Sequence, residues 1–123
     1  MSEPPAKPFD FEERSLQYAQ WIRKFLKRLP RTIANFEDAK QLVRASGSVG
    51  ANYIEANESL GAKDFRHRLR IARKEAKESR YWLKLIDTGS DPDVDRERLQ
   101  LIQESTELLR ILSAMLNRNQ NQE

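Results

Sequence analysis

Four stretches of this 123-residue chain repeat their larger side chains at alternating steps of three and four, and a proline or a glycine stands between each stretch and the next. At 3.6 residues per turn, that spacing gathers those side chains onto one face of an α-helix. The first predicted helix covers 10–29, with Asp10 as its N-cap, Glu12 and Glu13 in the first turn, and Pro30 as its stop. Its seam reads Leu16, Ala19, Ile22, Leu26, Leu29, with Tyr18, Trp21 and Phe25 on the flank. The second, 37–60, carries Leu42, Ser46, Val49, Tyr53, Ala56 and Leu60, and Gly61 reads as its C-cap. The third, 63–87, carries Phe65, Leu69, Ala72, Ala76, Ser79, Leu83 and Ile86. Thr88-Gly89-Ser90-Asp91-Pro92 is a turn signal, after which 94–117 carries Leu99, Ile102, Thr106, Leu109, Ser113 and Leu116.

Four helices of this length with short connections predict an all-α fold, an antiparallel up-down-up-down four-helix bundle spanning 9–117. The Pro-rich arm 1–8 and the polar tail 118–123 carry no periodicity and are expected to be disordered and frayed. Gly47, Gly50 and Ala51 on the second helix, with Ala72 and Ala76 on the third, predict that these two helices approach closely. Glycine inside a helix costs about 1 kcal/mol relative to alanine, so the short side chains need a reason. Either the stretch Leu42–Leu60 is a pocket or it is a tight crossing, and Ser46, Gly47, Gly50, Asn52 and Glu55 fit the crossing better. A second apolar seam on the fourth helix, Leu101, Leu108, Leu112 and Met115, exceeds what one core needs. It predicts contact between copies of the chain, as do Trp21, Phe25, Tyr81 and Trp82.

Net charge is only +3, but nine basic residues against four acidic ones fall between Ala62 and Asp87. Arg66, Arg70, Arg73, Lys77, Arg80 and Lys84 step by 4, 3, 4, 3, 4, one position after the core seam. They form a stripe about 27 Å long, able to follow several phosphates of an RNA or DNA backbone. The bland alternative is a solvated face, or ion pairs to acidic residues of the fourth helix. The opposite flank carries Ile71, Glu75, Glu78 and Trp82 at the same spacing. Buried carboxylates need partners, and Arg44, Arg68 or Asn52 across the crossing can supply them.

Catalytic chemistry finds little to work with. There is no cysteine and a single histidine, His67, with no Glu three residues before it, so a carboxylate-bridged metal centre lacks its ligands. Ser46 and Ser48 have no positioned base. Gly47-Ser48-Val49-Gly50 matches the G-x-x-G of KH domains, but that module needs strands, and none is predicted. No phosphate-binding glycine loop occurs. No enzyme activity, cofactor, metal or small-molecule substrate is expected. The absence of cysteine and of a long apolar run points to a cytoplasmic protein without a membrane span.

Ser46-Gly-Ser-Val-Gly-Ala-Asn52-Tyr-Ile-Glu55-Ala56 and Lys74-Glu75-Ala-Lys-Glu78-Ser-Arg-Tyr81-Trp82-Leu83 resemble the bacterial four-helix-bundle proteins encoded in intervening sequences of 23S rRNA genes, also called the S23 ribosomal protein family. The resemblance runs from about Phe11 to Leu116. It implies an antiparallel bundle assembling as a ring, a homopentamer, with no established active site. It also implies similarity to the basic, nucleic-acid-binding pentameric accessory proteins of diversity-generating retroelements, though these lack the Ser46–Glu55 motif. Two functional readings follow. One is a non-enzymatic ring that binds nucleic acid, ribosomal RNA among the candidates, through the stripe. The other is a protein-interaction scaffold whose stripe serves subunit assembly.

Overall fold

In the computed structural model, which describes residues 10–121 and side chains as far as Arg118, three of the four helices begin at a side-chain oxygen. Asp10 Oδ1 accepts from the Glu13 N–H at 3.2 Å and opens α1, Phe11–Leu26. Thr32 Oγ1 accepts from the Asn35 N–H at 3.1 Å and opens α2, Ile33–Asn57. Asp91 Oδ1 accepts from the Asp93 and Val94 N–H groups at 2.9 and 3.3 Å and opens α4, Pro92–Asn121, with Pro92 at its first position. α3, Ala62–Leu85, starts after Gly61 without a side-chain cap.

These starts correct several predicted bounds. α1 ends at Leu26 rather than 29. α2 begins four residues before 37, because Thr32 caps it, although Ile33 and Phe36 in its first turn stay exposed. α2 also ends at Asn57, so Gly61 is the extended N-cap of α3, at φ −156°, and not the C-cap of α2. α4 extends to Asn121 through most of the expected tail; the arm 1–8 and residues 122–123 lie outside the described residues.

The fold is all-α, and no strand occurs among the described residues. Contacts join α1 to α2, α2 to α3, α3 to α4 and α4 back to α1, which closes a four-sided layer around one core. The hydrogen-bond partners show the registers. Asn35 near the start of α2 meets Asp87 just past α3, Arg73 and Arg80 of α3 meet Ser113 and Thr106 of α4, and Tyr18 of α1 meets Ser105 of α4. Asn35 is buried and donates to the carbonyls of Pro30 and Asp87 at 3.0 and 2.8 Å while accepting from the Asp87 N–H at 3.0 Å. One amide therefore ties the α1–α2 connection to the α3–α4 connection and leaves few of its own groups unsatisfied.

The core uses different seams from those predicted on α1 and α4. On α1, Phe11, Ser15, Tyr18, Ile22 and Phe25 are buried, and Leu16 is 49% exposed. Three aromatic rings bury more apolar area than the leucine-alanine seam, and that difference sets the rotation. On α4, the supposed surplus seam Leu101, Leu108, Leu112 and Met115 is the core, while Leu99 is 55% exposed and Ile102, Thr106, Leu109 and Ser113 flank it. The second seam therefore carries no argument for subunit contact. Leu60, predicted for the second helix, lies beyond the end of α2 and wholly in solvent.

Each helix brings one buried serine, Ser15, Ser46, Ser79 and Ser105, and each donates to a carbonyl of its own preceding turn at 2.9–3.3 Å. Two of them, Ser79 and Ser105, meet the buried Tyr18 hydroxyl. Desolvation pushes the Tyr18 hydroxyl up to about 12, against which its bonds to Ser105 and Ser79 pull only partly.

α2 and α3 do pack closely along the longest interface in the bundle, but the two glycines of α2 face α1 instead. A Cβ at Gly50 would lie 2.7 Å from Ser15 Oγ and 3.3 Å from Ser15 Cβ, and at Gly47 the Arg23 guanidinium would lie 3.5 Å away. Gly50→Ala should therefore destabilise the wild-type chain, while in a Ser15→Gly background it should stabilise by up to about 1 kcal/mol of helix propensity. Urea unfolding of the four-member cycle checks this, and additive effects would place the crossing elsewhere.

Tyr18 gives a second test. Its folded value, about 12, lies above the unfolded value of 10.0, so its contribution is complete below pH 10 and is lost as pH rises through 12. Between those limits the wild type should lose roughly 2–3 kcal/mol more stability than Tyr18→Phe. Parallel alkaline denaturation curves for the two proteins would contradict the burial argument.

Candidate nucleic-acid interface

α3 has a core seam on one side, so the residues one position later turn toward its flank and those further round turn to solvent. The six-residue stripe splits accordingly. Arg66, Arg73 and Arg80 are half-buried and lean toward the bundle: Arg73 donates to Ser113 Oγ at 3.4 Å and Arg80 to Thr106 Oγ1 at 3.1 Å. Arg70, Lys77 and Lys84 are exposed. Lys74, outside the predicted stripe, is exposed beside them. A shallow cleft of about 370 Å³ between α3 and α4 is lined by Arg70, Arg73, Lys74, Lys77, Leu109 and Ser113.

The acidic residues that would neutralise this face are engaged elsewhere. On the α2 side, Glu75 and Glu78 share Arg44, at 3.6 and 3.5 Å. On α4, Glu104 is held by Arg14 at 2.8 Å and Glu107 by Arg110 at 3.2 Å. Arg73 and Arg80 thus meet hydroxyls of α4 instead of its carboxylates. Among the described residues, none of Arg70, Lys74, Lys77 and Lys84 makes an ion pair with a carboxylate. A row of cations without counter-charges attracts polyanions by the ordinary Coulomb field.

The residues of the predicted helix crossing are spread over two faces. Ser46 is buried and bonds the Val43 carbonyl at 3.3 Å. Asn52 accepts from Arg68 at 3.5 Å and donates to the Ser48 carbonyl at 2.8 Å, so it does bridge α2 to α3. Gly47 and Gly50 face α1 instead. Glu55 is exposed and takes no part in the crossing; Arg44, at the same interface, is the pin that sequence reasoning had named only as one option. Glu75 is 7% exposed, and Trp82 is half-buried against the core with its ring edge-on to Tyr81. Tyr81 is 57% exposed, one turn from Lys77 and one from Lys84. Its place in the same 4-3 step as Arg70, Lys74 and Lys77 was the signal available for both missed residues.

Fold and face together define a helical bundle with a cationic outer helix and no grouping of three His, Cys, Asp or Glu suited to a metal among the described residues. The chain belongs to the 23S rRNA-intervening sequence protein family, whose model matches residues 7–114. It is similar to a crystal structure from Bacteroides thetaiotaomicron, a protein of unknown function from the S23 ribosomal protein family. The two share 28% identity with a TM-score of 0.72, over 86% of this chain and 97% of that one. No curated protein matches the chain. No described helix is long and apolar enough to cross a membrane.

Glu75 supplies a test of the α2–α3 interface. Arg44→Leu leaves a buried carboxylate without its cation and should destabilise the fold by about 1–3 kcal/mol, whereas Arg44→Leu with Glu75→Leu should recover most of that loss. Thermal unfolding of the two variants measures the difference, and equal losses would mean that Arg44 does not compensate Glu75.

Proposed function

We propose that this protein is a non-enzymatic assembly that grips the sugar-phosphate backbone of RNA or DNA through the exposed cations of α3. The observation that carries this reading is the row Arg70, Lys74, Lys77 and Lys84, all exposed and none paired to a carboxylate among the described residues. Its geometry suits a linear polyanion better than a compact one, because the row extends along the helix for about 21 Å. The family description contains the words 23S rRNA, which makes ribosomal RNA the natural first ligand to try.

The helix registers support an antiparallel, up-down-up-down protomer, and we propose that five such protomers form a ring in the cytoplasm. Support comes from apolar side chains that the protomer leaves in solvent. Leu16 and Ile54 border an open groove of about 390 Å³ between α1 and α2, and Ile33 and Phe36 border a second. A ring repeats the cationic row, so that a weak contact per protomer becomes useful avidity.

Four phosphate contacts per protomer predict that log Kobs falls against log salt with a slope of roughly −3 or steeper. Arg70→Glu with Lys77→Glu should abolish binding without unfolding the chain, since both side chains are exposed. A salt-series shift assay with ribosomal RNA and duplex DNA measures both effects. Absence of binding at low salt, or binding indifferent to the charge reversal, overturns the reading. If light scattering then shows the assembly dissociating in high salt, the cations serve subunit contacts and the scaffold reading takes its place.

A further inference from the structure

The outermost line of α3 is not purely cationic. Arg70, Lys74, Lys77, Tyr81 and Lys84 step by 4, 3, 4, 3, and all five are exposed. A tyrosine thus occupies a position in the row of charges where a fifth cation or a small polar residue would serve a backbone ligand as well. The Tyr81 ring is 57% exposed and leans on Trp82, with centroids 5.3 Å apart and planes at 74°. Trp82 is half-buried against the core, so it anchors the tyrosine without being available itself. With 57% of its surface exposed, Tyr81 keeps side-chain surface in water beyond its contact with Trp82. Leu85, one turn further on, is 48% exposed and extends the apolar surface beside the ring.

Two occupants suit an exposed aromatic on a helix: another protein or an unpaired base. Protein interfaces are depleted of lysine, and Tyr81 has Lys77 one turn before it and Lys84 one turn after. A partner protein would have to desolvate both ammonium groups to reach the ring. A nucleic-acid strand meets the same surface without conflict, since its phosphates take the lysines while a base lies on the ring. Within a duplex the base faces are already stacked on one another, and a ring on the surface of a straight helix reaches none of them. Only unpaired nucleotides offer the faces, and aromatic platforms set in basic grooves are how proteins hold them.

We infer that Tyr81 is a stacking platform for an unpaired base, flanked by Lys77 and Lys84 as phosphate contacts, and that the ligand of this face is single-stranded nucleic acid. The inference rests on the backbone-binding reading above and adds the class of strand to it. Stacking is indifferent to the sugar, so RNA and DNA share the chemistry, and separate arms of the experiment tell them apart.

The test is fluorescence anisotropy on the full chain with four probes of equal length or charge: unpaired RNA, unpaired DNA, an RNA duplex and poly-glutamate. Single strands should bind more tightly than the duplex. Tyr81→Ala should weaken single-strand binding by about 5- to 150-fold, the effect of losing one stacked base, and leave duplex binding unchanged. Tyr81→Phe should restore it, which a role for the hydroxyl would not allow. Tighter binding of either unpaired strand supports the inference and names its sugar. If single strands and duplex bind alike, both are lost in Arg70→Glu with Lys77→Glu, and Tyr81→Ala changes neither, then the platform is overturned while backbone binding stands. If poly-glutamate binds best, or no nucleic acid binds at low salt, both readings fall.

Discussion

The crossing of α1 over α2 at Gly50 governs how the rest of the bundle is placed. Ser15 and Gly50 meet with no room for a Cβ on the glycine, so the two helix backbones approach more closely here than ordinary side chains allow. That approach needs Ser15 to face inward, the same rotation of α1 that buries Phe11, Tyr18, Ile22 and Phe25. Tyr18 then reaches the hydroxyl of Ser105 on α4 and meets Ser79 on α3. Leu16, the first residue of the other seam, is turned out beside Ala51 and Ile54. A helix propensity loss of about 1 kcal/mol at the glycine is offset by the dispersion contacts of this tight packing.

Charge is distributed so that one helix face remains uncompensated. Glu104 and Glu107 on α4 are held by Arg14 and Arg110, and Glu75 and Glu78 on α3 are held by Arg44 from α2. Arg73 and Arg80 spend part of their donor capacity on Ser113 and Thr106, which fixes their guanidinium groups along the α3–α4 groove. The lysines and Arg70 beyond them keep their ammonium and guanidinium groups in water. A field of one sign therefore follows the outer edge of α3 in a protein whose overall charge is only +3. Net charge would have concealed it, because attraction of a polyanion depends on the local arrangement.

Legibility differed from helix to helix for physical reasons. On α3 the predicted core seam was right from Leu69 to Ile86, with Phe65 half-buried at its start, because its flanks carry charges, which enter the bundle only with a partner, as Glu75 does with Arg44. On α1 and α4 two adjacent apolar seams share the same period, and periodicity alone does not rank them. Burial of the larger aromatic and leucine side chains decides, and it favoured Phe11, Tyr18 and Phe25 over Leu16, and Leu101, Leu108 and Leu112 over Leu99. The start of α2 was missed because its first turn exposes Ile33 and Phe36, so the apolar pattern there carries no inside–outside signal; the Thr32 cap was the better guide. In the candidate site the basic run was visible as a run. Which of its members face solvent, and that Lys74 and Tyr81 stand among them, depends on a rotation of α3 by a few tens of degrees, finer than a heptad-like spacing resolves.

By itself the sequence determined an all-helical chain of four segments, the breaks between them and the first cap at Asp10, and an excess of positive charge on the third segment. These are consequences of local chemistry: dihedral limits at proline, side-chain oxygens near free N–H groups, and a period of 3.6. Tertiary structure alone decided which seam each helix buries, that the glycines admit α1 and not α3, and that Arg44 serves Glu75 and Glu78 while leaving Arg70, Lys74, Lys77 and Lys84 in solvent. Those outcomes depend on competition between surfaces of similar hydrophobicity, and competition is settled only when all four helices are present to be packed.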